Sequence, residues 1–147
     1  MPSIKDNPDS RFLHAEDLLH DGEWRQYTLT IDKVFAPGEI VYENKQKAEC
    51  WVIQFREGTG KMLSLSAKCN WRIMPYATGS RDPKNWVGKR ITVYAARGTW
   101  FKEDNLAAVR IRPLPGARPK LSPKDVGVDL TGTKVVALVE EKLTTQE

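Results

Sequence analysis

The sequence predicts a mostly β domain with five short strands and a single helix between the third and the fourth. Three observations predict it. Apolar and polar residues alternate with period two in several short segments, the signature of strands with one buried face. Glycine- and proline-containing turns separate those segments. Only the stretch 67–78 carries apolar residues at helical spacing.

Taken in order, Phe12–Leu19 is apolar at Phe12, Leu13, Ala15, Leu18 and Leu19, which suits a short strand or one helical turn, and Asp21-Gly22 marks a turn. Tyr27–Val34 is the first strand, with Tyr27, Leu29 and Ile31 alternating with Thr28, Thr30 and Asp32 before Ala36-Pro37-Gly38 breaks it. Glu39–Ala48 is a charged loop. Glu49–Arg56 is the second strand, with Trp51, Ile53 and Phe55 facing inward. Glu57–Gly60 forms a hairpin loop and Lys61–Ser66 returns as the third strand. In the helix, Trp71 and Met74 lie one turn apart and Pro75 limits the length. Arg90–Ala96 is the fourth strand, Gly98–Asn105 a loop, and Leu106–Arg112 the fifth strand, with Val109 and Ile111 inward.

Five strands with a helix between the third and fourth is the plan of the OB-fold, a small Greek-key barrel; another small barrel or an α+β roll has a similar order. Residues 1–11 are polar and form a flexible N-terminus, and 12–112 are the barrel. Residues 113–125, with Pro113, Pro115, Pro119 and Pro123, form a stiff linker. Residues 126–147 are a tail that orders in part, with Val135–Leu143 able to form a strand or a helix.

At 147 residues the chain suits one domain that needs no disulfide staples. Its longest apolar run, Val135–Val139, is far below the roughly 20 residues of a membrane helix. Residues 1–10 carry no apolar signal-peptide core. Cys50 and Cys69 are too few for a disulfide framework, so the predicted compartment is the cytoplasm. The net charge is +4, unevenly spread. Residues 1–60 carry −4, residues 61–112 carry +8 and residues 113–147 carry zero. A region of one sign attracts polyanions.

Five segments carry a resemblance: Phe12-Leu13-His14-Ala15-Glu16-Asp17-Leu18, Leu29-Thr30-Ile31, Leu63-Ser64-Leu65 leading to Asn70, Asn85-Trp86-Val87-Gly88-Lys89-Arg90-Ile91, and Val109-Arg110-Ile111-Arg112. Through them the chain from Phe12 to Arg112, about two thirds of the whole, resembles a family of small phage-encoded OB-fold proteins regarded as binders of single-stranded DNA. The resemblance implies a role in phage DNA replication or recombination, in the host bacterial cytoplasm. The chain departs from the family at Ser66, where an asparagine is usual, and in a longer, more basic loop from Thr78 to Lys84.

No catalytic apparatus is legible, so the protein is predicted not to be an enzyme and to need no cofactor or metal. Gly58-Thr59-Gly60-Lys61 lacks the rest of a phosphate-binding loop, because Phe55 and Met62 stand where glycine and Ser or Thr are required. His14, His20, Cys50 and Cys69 lack metal-knuckle spacing. Ser64 and Ser66 have no flanking nucleophile-elbow glycines. The pairs Glu16-Asp17 and Glu140-Glu141 are sequence neighbours whose side chains diverge.

The aromatic residues are more informative. Trp51 is expected in the core, Trp86 as a plug at one end of the barrel, and Trp71 on the helix face that caps it. Tyr94 falls on the face opposite Ile91 and Val93, and Trp100 and Phe101 lie between Arg97 and Lys102. Single-strand binders combine a basic groove with aromatic platforms for bases. The expected contacts are Arg56, Lys61, Lys89, Arg97, Lys102, Arg110 and Arg112 to phosphates, with Trp100 and Phe101 stacking on bases. The expected partner is single-stranded DNA or RNA, with little sequence preference and no membrane. The alternative is a phage adaptor or inhibitor that grips a host protein with the same barrel. The acidic residues 1–60 and the C-terminal tail, itself a possible protein-binding segment, fit that reading.

Overall fold

The computed structural model describes residues 11–57, 60–100, 103–121 and 123–131; for 99–100, 103–106, 123 and 125 it describes the backbone alone. The described part is mostly β with one substantial helix. A 3-10 turn at Ala15–Leu18 leads into a small hairpin of β1 (Leu19–His20) and β2 (Glu23–Trp24). Asp21 and Gly22 both adopt positive φ, 53° and 77°, as the two-residue turn of a hairpin requires.

The main sheet contains β3 (Tyr27–Phe35), β4 (Val52–Phe55), β5 (Met62–Ser64), β6 (Arg90–Trp100) and β7 (Glu103–Ile111), in the spatial order β5-β4-β3-β6-β7, every pair antiparallel. A short strand, β8 (Val128–Asp129), adds to β6. The first half of β3 pairs with β6, from Tyr27↔Val93 to Thr30↔Arg90, and its second half pairs with β4, from Ile31↔Phe55 to Phe35↔Val52. A register shift between Ile31 and Lys33 marks the changeover. A bulge of this kind bends a strand and sharpens its twist. Ile31, fully buried, donates its N–H to the Lys89 carbonyl and accepts from Gly88 at the same point. Among the described residues no pairing joins β5 to β7, so the sheet is strongly bent but open. The free edge of β5 is covered instead by residues 11–13, which bond to Met62 through Leu13 N–H and the Arg11 carbonyl.

The helix α1 (Lys68–Thr78) packs against the sheet, chiefly on β7 and β6. Its buried residues are Cys69, Asn70, Ile73, Met74, Ala77 and Thr78, which join Ile31, Ile53, Phe55, Leu63, Leu65, Trp86, Ile91, Val93, Val109 and Ile111 around one core. Asn70 ties the helix to β7 by donating from Nδ2 to the Val109 carbonyl at 3.0 Å. Pro75 does not stop the helix, which continues for one turn until Gly79, at φ 85°, ends it. Glycine takes that left-handed conformation without steric cost. A smaller cluster of Phe12, Ala48, Val52 and Met62 fills the opposite side of β4 and β5.

Two expectations are corrected here. The loop expected at 98–105 is largely strand: β6 runs to Trp100, β7 starts at Glu103, and these two residues pair. Gly98 is a weak strand former and reads as a break, but here it lies at a register shift inside the hairpin. The proline-rich segment also does not leave the domain. Residues 113–121 form no helix or strand, yet Leu114 N–H bonds to the Tyr76 carbonyl at the end of α1. The chain then makes one helical turn, α2 (Pro123–Val126), and returns to β6 as β8. The N-terminal residues 1–10 and the expected element at Val135–Leu143 lie outside the described residues. No helix among the described residues is long and apolar enough to cross a membrane.

Candidate functional site

The returning segment determines which predicted contact residues reach solvent. Period-two alternation places Arg110, Arg112 and Tyr94 on the face of β6 and β7 opposite the core. That face is covered by residues 113–131. Arg110 is only 6% exposed; its Nε donates to the Val126 carbonyl at 3.1 Å and its Nη1 to the Val109 carbonyl at 3.1 Å. Arg112 donates from Nε to Oε1 of the buried Gln26 at 2.5 Å. Its Nη2 donates to Asp129 Oδ2 at 2.7 Å and to Thr131 Oγ1 at 2.8 Å. Thr131 passes the bond on, donating from Oγ1 to Asp129 Oδ1 at 2.5 Å. The structure therefore uses these two arginines to fasten the C-terminal segment.

The electrostatics of this network are consistent with its geometry. Burial alone would raise the Asp129 pKa, but hydrogen bonds from Thr131 and Arg112, with the charge of Arg112, outweigh it and hold the carboxyl below its ordinary value. Burial raises the Tyr94 phenol above its ordinary value, and the Arg112 cation opposes that only in part. A cleft of about 80 Å³ lies between α1, the end of β7 and the proline segment, lined by residues that include Cys69, Tyr94, Arg110 and Leu121.

The other predicted residues are dispersed. Arg56 is exposed, with Nε 3.6 Å from Asp32 Oδ1. Lys61 Nζ lies 3.4 Å from Asp17 Oδ2. Arg97 is half-buried with its guanidinium 5.8 Å from the ring centre of Trp24. Lys89 is exposed at the start of β6. The Trp100 side chain, Phe101 and Lys102 lie outside the described residues.

What the structure brings together is a different group of aromatics. Trp51, Trp71 and Trp86 form one cluster: Trp51 and Trp71 stack with ring centres 6.3 Å apart at 17°, and Trp71 meets Trp86 edge-on at 5.8 Å and 68°. Trp86 is 1% exposed and donates from Nε1 to the Ser80 carbonyl at 2.9 Å. Trp51 is half-buried, and Trp71 is 41% exposed. Trp71, expected on the helix face that caps the barrel, is instead exposed while its ring still meets Trp51 and Trp86. At about 100° per residue, Lys68, Trp71, Arg72 and Tyr76 share one arc of α1, and all four are exposed. That placement was available in the sequence: the apolar set Cys69, Ile73 and Ala77 repeats every four residues and leaves Trp71 beside the charges.

Lys68 and Arg72 share the arc with Trp71, and Arg81, Lys84, Lys89 and Arg90, later in the chain, are exposed as well. None of them forms an ion pair among the described residues, where the pairs that exist involve Arg25, Arg56, Lys61 and Arg112. Asp82, the one acidic residue in residues 61–100, accepts from the Lys84 backbone N–H at 3.0 Å. No group of three or more His, Cys, Asp or Glu among the described residues is placed to hold a metal. Compared with models of protein families, with curated proteins and with solved structures, the chain matches none.

Proposed function

We propose that this protein binds single-stranded nucleic acid with little sequence preference, on an OB-like Greek key. The observation that carries the reading is the run of exposed cations from Lys68 to Arg90 with no carboxylate partner among the described residues. Unneutralised charge of one sign beside exposed aromatic rings is the chemistry that backbone phosphates and unpaired bases require. The strand order supports the fold: β3 lies between β4 and β6, so the fourth main strand returns beside the first, as in a Greek key. The resemblance to phage-encoded OB-fold proteins leads in the same direction. Trp100, Phe101 and Lys102 remain proposed contacts beside the cations. Fluorescence anisotropy with a labelled 30-mer, single-stranded or duplex, tests the reading. Tighter binding of the single strand supports it, and a duplex preference opposes it.

A second reading, an adaptor that grips a host protein, draws on Leu114 and Val128, which the C-terminal segment leaves 46% and 70% exposed. Single exposed apolar residues are common on protein surfaces, so they favour this reading less strongly.

A further inference from the structure

We infer that the exposed arc of α1, centred on Trp71, is where an unpaired base stacks, with Lys68 and Arg72 holding the phosphates beside it. The inference rests on the single-strand reading above and gives it a location on α1, outside the contact residues expected from the sequence.

Three features support the location. Trp71 carries a large ring on an arc shared with the exposed Lys68, Arg72 and Tyr76, and 41% of it is left exposed rather than used in packing. The ring is also fixed: Trp51 stacks on it nearly parallel and Trp86 meets it edge-on, so ordering the platform on binding costs little conformational entropy. Finally, the cations one turn before and directly after it, Lys68 and Arg72, have no ion-pair partner among the described residues. A flat apolar surface bordered by free positive charge is complementary to a base with its phosphates. Duplex DNA presents the phosphates but keeps its base faces stacked internally, so the same arc discriminates against it.

The test uses the full chain with a labelled oligothymidine 30-mer. Trp71→Ala is expected to weaken binding roughly 5- to 150-fold, the value of one lost stack, with the salt dependence unchanged. Trp71→Tyr, which restores a ring, is expected to recover most of the affinity. The double variant Lys68→Gln/Arg72→Gln is expected to flatten the log–log salt slope by up to about 1.4, two phosphates' worth on a single strand. Photo-crosslinking of an iodouracil-substituted strand to the unmutated protein, with peptide mapping, needs no variant to fold and is expected to mark Trp71. Crosslinks confined to other peptides, or a folded Trp71→Ala protein that binds as tightly as its parent, overturn this location while the single-strand reading stands. No binding by the parent overturns both.

Discussion

The guanidinium carbon of Arg112 lies 3.9 Å from the ring centre of Tyr94, over its face, while the same guanidinium bonds to Asp129. One side chain at the end of β7 thus joins the sheet to the segment that returns over it. Removing it takes the Arg112 hydrogen bonds from Gln26 Oε1 and Asp129 Oδ2. We expect Arg112→Ala to lower the unfolding free energy by about 1.5–3 kcal/mol, the range of charged hydrogen bonds and below that of a fully buried pair because the side chain is part-exposed. Urea denaturation measures it. A loss below about 0.5 kcal/mol, the size of an ordinary surface substitution, would mean that the network contributes little.

The same network sets a pH dependence. The folded-state pKa of Asp129 is below its ordinary 3.8, so the stabilisation is complete above that value and is lost as pH falls through the lower, folded value. Asp129→Asn should therefore flatten the acid limb of the stability profile below about pH 4 and change its shape little near neutrality. Tyr94 acts at the other extreme. Its raised pKa gives stability that is present below pH 10.0 and lost as pH rises beyond it. Melting temperature against pH checks the acid limb with Asp129→Asn and the alkaline limb with Tyr94→Phe. An unchanged acid limb in Asp129→Asn contradicts the assignment.

Trp86 is the buried member of the aromatic cluster, and its indole N–H is bonded to Ser80. Trp86→Ala should cost about 3–5 kcal/mol of stability through the cavity it leaves. It should also loosen the support of Trp71. A loss under about 1 kcal/mol by denaturant titration would show that the site collapses around the gap.

The C-terminal segment is fastened at Tyr76 and at Asp129 but carries no regular structure from 113 to 121. Limited trypsin digestion is expected to cut first after Lys120, in exposed irregular backbone, and faster in Arg112→Ala. First cleavage within β6, while the Lys120 bond survives, would contradict the expectation.

The strands and the helix were legible because their signal is local. Tyr27, Leu29 and Ile31, or Ile91 and Val93, alternate as the backbone period demands. What covers a face is not a local property. Alternation put Arg110 and Arg112 opposite Val109 and Ile111 correctly, but it carries no information about a segment fifteen to twenty residues later folding over them. Pro113 to Pro123 read as a spacer because proline lacks a backbone donor, whereas a side chain such as Arg112 can anchor the segment beyond it. Gly98 concealed the length of the β6–β7 hairpin in the same way. The site was half legible. The basic excess of residues 61–112 was visible in the composition, while the Trp51–Trp71 stack joins residues twenty apart and depends on how α1 packs in the fold.

The central claim is that the exposed cations between Lys68 and Arg90 bind the backbone of a single strand, and its most direct test is the salt dependence of binding. Anisotropy titrations of the full chain with a single-stranded 30-mer, repeated across salt concentrations, should give a log–log slope of about −3 to −4 if roughly 4–6 phosphates are contacted. A slope near zero, or no anisotropy change at low salt with folded protein, would contradict it.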